Sequence, residues 1–224
     1  MVGSPDLKQI VDTLDRHFSI INDEFIAYHL CRCGYSSFEV LVSIILSQNT
    51  RDDLAIKAFN NLKVKLGTVT PEAILSLPIS DVEEALRIAG LFRRKSRVIY
   101  SIAKAVKDLG GVDALNSLPG KELREALLNI DGIGYKTVDV FMLMCRGIEV
   151  FPIDTHIRRV LARLGITGRR DNYLKIQAKV HEVLPPNYYL KAHLLLIKLG
   201  RSYCRARKPL CSTCPIDSVC LKRF

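Results

Sequence analysis

Apolar residues recur along most of the chain at the three- and four-residue spacing that one face of a helix requires. The stretch RVIYSIAKAVKDLGG is a clear example, with six apolar residues on one helical face: Val98, Ile99, Ile102, Ala105, Val106 and Leu109. No stretch alternates convincingly as a strand does, and no Asn-Gly or Asp-Gly pair lies between β-branched runs. The pattern therefore predicts an all-α fold with short connections.

Capping residues mark several helix ends. In TPEAILSL, Thr70 is predicted to be the N-cap and Pro71 the first helical residue. In SDVEEALRIAG, Ser80 and Glu83 have the spacing of a capping box, and Gly90 is predicted to end the helix. Both signals support helices that are separated by short connections.

A tight turn is predicted to join two amphipathic helices within KELREALLNIDGIGYKTVDVFMLMC. Each helix has one apolar face: Leu123, Ala126, Leu127 and Ile130 in the first, and Val138, Phe141, Met142 and Cys145 in the second. Gly132 and Gly134 in the turn permit a positive φ and the close approach of another backbone. The N–H groups at the start of the second helix would bind a DNA phosphate whatever the base sequence of the DNA. The alternative is an ordinary helical hairpin without a ligand.

The charge balance narrows the class of partner. The chain has 224 residues, 33 of them basic and 23 acidic, with a net charge of +10. This excess favours a polyanion, most often nucleic acid, over a basic surface that serves only solubility. The N-terminus lacks a signal-peptide pattern, and no apolar run approaches the length of a membrane span. We therefore expect an intracellular protein, in the cytoplasm or nucleoid of a prokaryote, with no membrane partner and no stable disulfide.

Four of the seven cysteines lie near the end of the sequence with the spacing C-x6-C-x2-C-x5-C. Four clustered thiols in a reducing compartment indicate a metal site, and its ligands would be Cys204, Cys211, Cys214 and Cys220. The other three cysteines are interpreted as ordinary thiols that bind no metal: Cys31, Cys33 and Cys145.

Lys136 and Asp154 are candidate catalytic residues. Lys136 is predicted in the first turn of the second hairpin helix, where the positive end of the helix dipole disfavours its ammonium form. A neutral amine can form a Schiff base, whereas the alternative is a surface lysine or a phosphate contact. Asp154, in FPIDTHIRRVLARLG, precedes a further helix. It either caps that helix or directs a carboxylate at the hairpin.

The segments LNIDGIGYKTVDVF and PIDTHIRRV, followed by the cysteine spacing, resemble endonuclease III, in the iron–sulfur branch of the helix–hairpin–helix base-excision DNA glycosylases. The resemblance runs from about Phe38 to Cys220, and the hairpin and the cysteines together make it highly specific. It implies a two-domain all-α fold with the active site in the interdomain cleft. Residues 36–148 would form a six-helix barrel with the hairpin, and residues 1–35 and 149–224 an iron–sulfur cluster domain.

The resemblance also implies roles for the candidate residues. Lys136 matches the catalytic lysine of the family and Asp154 its catalytic aspartate, and a lysine at this position implies a glycosylase that also cuts the abasic site. The four clustered cysteines would hold a [4Fe–4S] cluster. No histidine lies between Cys204 and Cys220, so a zinc site with four cysteines is the remaining alternative.

Nine residues are predicted to contact DNA: Gln48, Asn49, Leu91, Arg93, Gly132, Gly134, Arg205, Arg207 and Lys208. By resemblance, either Gln48 or Asn49 would fill the gap that a flipped base leaves. Leu91 would be a wedge between bases of the opposite strand, or else a core leucine at a helix end. Phosphates would be bound by Arg93, Arg94 and Lys95, and by the basic loop that the cluster holds out.

The sequence is therefore interpreted as a bifunctional repair enzyme that removes oxidised pyrimidines from duplex DNA and cleaves abasic sites by β-elimination. We expect a monomer whose partner is double-stranded DNA with damaged bases or abasic sites. The alternatives are a mismatch or uracil-type glycosylase of the same fold and a non-catalytic DNA-binding module. Adenine-specific relatives carry an extra C-terminal domain, and we expect this chain, in which four residues follow Cys220, to belong elsewhere.

Overall fold

The computed structural model describes residues 5–19 and 24–223, and within these ranges it has thirteen α-helices and no strand. The all-α prediction is confirmed. No helix in the described ranges is both long and apolar enough to cross a membrane. In chain order the helices are α1 Leu7–His17, α2 Ile26–Arg32, α3 Ser37–Ser47, α4 Asp52–Leu66, α5 Pro71–Ser76, α6 Ile79–Leu86, α7 Phe92–Asp108, α8 Val112–Ser117, α9 Gly120–Leu128, α10 Tyr135–Arg146, α11 Thr155–Leu164, α12 Tyr173–Val183 and α13 Tyr189–Ser202.

The chain divides into two compact units, which we name the hairpin unit (Ile21–Ile148) and the terminal unit (Met1–Ile20 with Glu149–Phe224). The domain boundary predicted at residue 36 falls between α2 and α3. In the structure α2 belongs with the helices that follow it, because it packs against α3 and α10 and buries Ile26, Ala27 and Leu30. Burial of one short helix therefore decides where the hairpin unit begins.

Helix α3 is central to the hairpin unit and packs against α2, α4, α7 and α10. Its apolar residues are buried all round: Phe38, Val40, Leu41, Val42, Ile44, Ile45 and Leu46. A capping box fixes its start, since Ser36 Oγ accepts from the Glu39 N–H at 3.2 Å and Glu39 Oε2 accepts from the Ser36 N–H at 2.9 Å.

The predicted helix starts have mixed outcomes. Thr70 is the N-cap of α5, where its hydroxyl accepts from the Ala73 N–H, and Pro71 is the first helical residue, as predicted. The capping box predicted at Ser80 is wrong, because Ser80 lies inside α6 and the N-cap is Pro78.

Helix α7 buries Val98, Ile99, Ile102 and Val106 from the predicted apolar face, whereas Leu109 lies beyond the last helical residue and is partly exposed.

In the terminal unit, α13 packs against α1 and α11. Gly200 allows the close contact with α11, because a Cβ there would lie 2.7 Å from Cβ of His156.

Ahead of α12, the Asp171 carboxylate accepts from Lys179 at 2.7 Å, from Lys175 at 2.9 Å and from the Gly168 N–H. These donors hold the pKa of Asp171 well below its usual range.

Cys31 on α2 and Cys145 on α10 are joined by a disulfide, with Cα atoms 5.4 Å apart. The prediction of ordinary thiols and no disulfide is therefore wrong for this pair. The two cysteines are 114 residues apart, and no spacing in the sequence links them, so the sequence pattern carried no sign of their pairing. Cys33 is an exposed thiol outside the disulfide, with its Sγ 3.7 Å from Nε2 of His29.

Candidate active site and nucleic-acid interface

Gly132 shapes the turn that joins α9 to α10. Its φ is +85°, a left-handed value that favours glycine, and a Cβ there would lie 2.4 Å from Cγ2 of Val98 on α7. Backbone conformation and space both require glycine at this position. Most residues of the two predicted apolar faces beside the turn are buried: Leu123, Leu127, Ile130, Val138, Phe141 and Met142.

Gly134, the N-cap of α10, differs from Gly132. Its φ is −119°, which any residue can adopt, and beyond its immediate chain neighbours no atom of the described structure crowds the place where a Cβ would stand. The fold itself does not require glycine here. The open space lies at a helix N-terminus, where the first N–H groups have no acceptor within the helix and an anion is favoured.

Lys136 is the second residue of α10 and is half-buried. The carbonyl of the N-cap residue Gly134 accepts from the N–H groups of Thr137 at 3.0 Å and Val138 at 3.2 Å. The lysine is therefore in the first turn, where the sequence predicted it and where the helix dipole is positive.

An ion pair that the sequence interpretation missed clamps α9 to α10. Arg124 donates from Nε and Nη2 to the two carboxylate oxygens of Asp139, both at 3.1 Å, and the Asp139 side chain is fully buried. The guanidinium also lies over the ring of Tyr135, 5.2 Å from its centroid. A carboxylate in the apolar run VDVFML was the available signal, because a buried charge needs a partner.

The segment after α3 holds the two residues left open as gap fillers. Gln48 is half-buried, and its Nε2 donates to Oγ1 of Thr137, the residue after Lys136, at 3.0 Å. Asn49 is exposed and has a φ of +51°, in the left-handed region. The two neighbours are therefore in different environments, one bound to α10 and the other open to solvent.

Leu91, the N-cap of α7, is 55% exposed and also left-handed, with a φ of +48°. The alternative interpretation, a core leucine at a helix end, is therefore wrong. Arg93 and Arg94 beside it are exposed, as phosphate contacts require. The prediction for Lys95 is wrong, because this side chain is only 3% exposed and donates its hydrogen bonds within the protein.

In the terminal unit, Asp154 is the N-cap of α11, and its Oδ1 accepts from the Ile157 N–H at 2.7 Å. The capping role that the sequence suggested is thus present. The side chain is half-buried and remains near the helix start, where the dipole favours its negative charge. A catalytic role for the same carboxylate stays a prediction.

The four clustered cysteines line one pocket, together with apolar side chains that include Val160, Leu199 and Ile216. Burial raises the pKa of the Cys214 and Cys220 thiols, and the nearby thiols add to this effect. Four thiolates in an apolar pocket need a cationic group, which fits a metal or cluster site. Within residues 5–19 and 24–223, however, no group of three or more His, Cys, Asp or Glu side chains is arranged to hold a metal ion.

Arg163 on α11 ties the cysteine loop to the terminal unit. Its Nη1 donates to Sγ of Cys204 at 3.3 Å and to the carbonyl oxygen of Arg205 at 2.7 Å. The side chains of Arg205, Arg207 and Lys208 that follow are exposed, as the sequence predicted for a basic loop.

A model of one protein family matches residues 42–186, more than half of the chain, and its description is the HhH-GPD superfamily of base excision DNA repair proteins. The chain belongs to this family. This HhH-GPD protein is 37% identical to endonuclease III of Sulfolobus acidocaldarius over 212 residues. The alignment covers 95% of the present chain and 94% of the Sulfolobus protein. The predicted resemblance to endonuclease III is confirmed.

Solved structures agree with the family assignment. A non-covalent endonuclease III–DNA complex matches with a TM-score of 0.84 at 26% identity, over 100% of this chain and 97% of that one. A trapped covalent endonuclease III–DNA intermediate matches with a TM-score of 0.81 at 26% identity, over 97% of this chain and 96% of the solved one.

The candidate residues of this HhH-GPD protein fall into the two units. The hairpin unit holds Lys136, the hairpin glycines, Gln48, Asn49, Leu91 and Arg93. The terminal unit holds Asp154, the four cysteines and the basic loop.

Proposed function

We propose that this HhH-GPD protein removes damaged bases from duplex DNA and cleaves the resulting abasic site. The observation that carries the proposal is the amine of Lys136 at the start of α10, in a chain that matches a trapped covalent endonuclease III–DNA intermediate over 97% of its length. A covalent bond to the sugar requires a nucleophile, and the side-chain amine of a lysine can supply one.

The proposed reaction begins when Nζ of Lys136 attacks the sugar C1′. The bond from C1′ to the base breaks, and the base leaves with the electron pair and takes up a proton. The amine loses its protons as the C1′–O4′ bond opens, so that an imine forms and O4′ becomes a hydroxyl. The imine acidifies the C2′ hydrogens, and loss of one of them expels the 3′ phosphate. Water then releases Lys136 from the imine.

For Asp154 we propose an electrostatic role in the same reaction. Base departure develops positive charge on the sugar, and a fixed carboxylate stabilises such a charge more in the transition state than in the ground state. The bond from the Ile157 N–H to Oδ1 supports this role, because it fixes the orientation of the carboxylate. Accepting a proton from the Lys136 amine is the alternative role that the sequence left open.

We propose that Asn49, rather than Gln48, fills the gap left by an extruded base. Asn49 is exposed, whereas the Gln48 amide is engaged with Thr137. Asparagine tolerates the left-handed backbone better than most residues, so the exposed side chain can be presented at this φ. Leu91, exposed in a similar backbone conformation, is the proposed wedge.

Phosphate contacts are proposed at three exposed places: the open space at Gly134, the side chains of Arg93 and Arg94, and the basic loop with Arg205, Arg207 and Lys208. The net charge of +10 supports a polyanionic partner.

We propose that Cys204, Cys211, Cys214 and Cys220 hold a [4Fe–4S] cluster. The shared pocket, the donor set of four thiols and the N–H of Arg163 at Cys204 Sγ support the fit. The cluster would join distant parts of the C-terminal loop and so fix the basic residues between its first two ligands. Zinc bound by the same four thiolates is the alternative, and metal analysis separates the two.

As substrates we propose oxidised pyrimidines, acted on by a monomer inside the cell. The test is a panel of duplexes, each with one lesion, incubated with the protein and borohydride. Borohydride reduces an imine to a stable amine, so the expected result is a protein–DNA cross-link and strand cleavage with oxidised pyrimidines. Cross-linking only at mismatched thymine or uracil would favour the mismatch-type alternative. Binding without any cross-link or cleavage would leave a non-catalytic DNA-binding module.

A further inference from the structure

Lys95 is a buried cation that joins two segments far apart in the sequence. From its position on α7, Nζ donates to the carbonyl oxygens of Leu46 at 2.8 Å and Ala89 at 3.0 Å. The third donor bond goes to the hydroxyl oxygen of Thr50. The side chain is 3% exposed, so it has no part in binding phosphate.

The acceptors lie at the ends of two helical segments. Leu46 is in the last turn of α3, and Ala89 ends a 3₁₀ turn that spans Arg87–Ala89. Carbonyl groups at helix C-termini lack partners within the helix and carry the negative end of the dipole, so an ammonium group between them is favoured. Lys95 therefore caps both segments at once.

Thr50 completes a closed network with the lysine. Its Oγ1 accepts from Lys95 Nζ and donates to the carbonyl oxygen of Ala89 at 2.6 Å. Burial lowers the pKa of Lys95 to about 8, while its three acceptors favour the charged form. The lysine therefore remains largely an ammonium group at neutral pH, with three hydrogens for three acceptors.

Each of the two linked segments carries one exposed residue other than glycine with left-handed backbone. Asn49 lies between Leu46 and Thr50, and Leu91 follows Ala89 by two positions. Left-handed backbone at residues other than glycine persists only where the surroundings hold it in place. The bonds of Lys95 to both segments provide such a constraint.

We propose that Lys95 is a positioning residue that holds the segment with Asn49 and the turn with Leu91 in one fixed arrangement, ready to enter the DNA stack together. This inference rests on the proposed function. It concerns duplex DNA alone, because only a stacked base must be displaced before the chemistry begins.

The test compares Lys95→Met, Lys95→Arg and the matched control Lys104→Met, an exposed lysine on the same helix. For Lys95→Met, single-turnover removal of a damaged base from duplex DNA should fall about tenfold or more, as expected when reacting groups are misplaced. Cleavage of an abasic site in single-stranded DNA should stay within about twofold, since that substrate needs no extrusion. Lys104→Met should match the wild type, and Lys95→Arg should restore part of the duplex rate.

Amide hydrogen exchange gives a readout that does not depend on activity. Exchange in residues 47–51 and 89–92 should rise in Lys95→Met while the rest of the chain keeps its protection. If Lys95→Met does not fold, Thr50→Val removes the linking hydroxyl with little change of shape, and Thr50→Ser retains it. Thr50→Val should then show the same selective loss on duplex DNA.

The outcomes separate the two proposals. Wild-type duplex activity with an unchanged Lys95→Met rate, or equal losses on duplex and single-stranded substrates, would overturn the role of Lys95. A wild type that cuts neither substrate would overturn the proposed function, and the role of Lys95 in base extrusion with it.

Discussion

The side-chain amide of Gln48 donates to the hydroxyl of Thr137 at 3.0 Å, which joins the end of α3 to the first turn of α10 beside Lys136. Thr137 is only 3% exposed, so its hydroxyl depends on a partner inside the protein. Gln48, which precedes the proposed gap filler Asn49, therefore helps to fix the helical turn that carries the proposed nucleophile Lys136.

Replacing Asn49 should therefore affect base extrusion more than replacing Gln48. Asn49→Gly removes the side chain without strain, because glycine adopts the left-handed backbone freely. We expect the fluorescence of 2-aminopurine beside the lesion to lose its rise on binding, and duplex base removal to fall about tenfold. Gln48→Ala should instead cost about 1 kcal/mol of stability through the unpaired Thr137 hydroxyl. The reverse pattern would assign the gap to Gln48.

Lys136→Gln should abolish both the borohydride cross-link and strand cleavage, since glutamine has no nucleophilic amine. Binding to lesion-bearing duplex should stay close to wild type in a fluorescence anisotropy titration, because the backbone N–H groups of the hairpin remain. Lys121→Gln, at an exposed lysine on α9, is the matched control and should trap normally. Trapping of Lys136→Gln at the wild-type rate would mean that another amine attacks the sugar.

Much of the fold can be predicted because its signals are local. The buried face of α7, the cap at Thr70 and the glycine turn of the hairpin each depend on a few neighbouring residues. The domain boundary depends instead on where one seven-residue helix is buried, and that is a matter of distant contacts.

The electrostatic partners were harder to predict for the same reason. Lys95 follows Arg93 and Arg94, and this run of cations indicates a surface position. Its helical spacing, however, places it on the same face as Val98, Ile99 and Ile102, which indicates burial. Two of its three acceptors are the backbone carbonyls of Leu46 and Ala89, which no side-chain pattern records. Asp139 likewise stands within an apolar run, but its partner on another helix appears only after α9 and α10 have packed.

Metal content should decide the nature of the cysteine site. Four thiolate ligands predict about four iron atoms per chain and a brown protein with broad visible absorption. Cys211→Ser should lose iron and weaken DNA binding together, because the basic loop lies between Cys204 and Cys211. Cys33→Ser, at an exposed cysteine outside the pocket, is the control and should retain full iron content. A colourless protein with stoichiometric zinc would refute the cluster.

Two substitutions of Asp154 distinguish its role as a helix cap from its proposed role in catalysis. Asparagine is as good an N-cap as aspartate, so Asp154→Asn should keep the bond from the Ile157 N–H and an almost unchanged melting temperature. It removes the negative charge, and we expect single-turnover base removal to fall about 10²–10³-fold while DNA binding changes little. Asp154→Ala removes charge and cap together and should cost about 1 kcal/mol of stability in addition. Equal rates for Asp154→Asn and the wild type, with the melting temperature lowered only in Asp154→Ala, would reduce this residue to a helix cap.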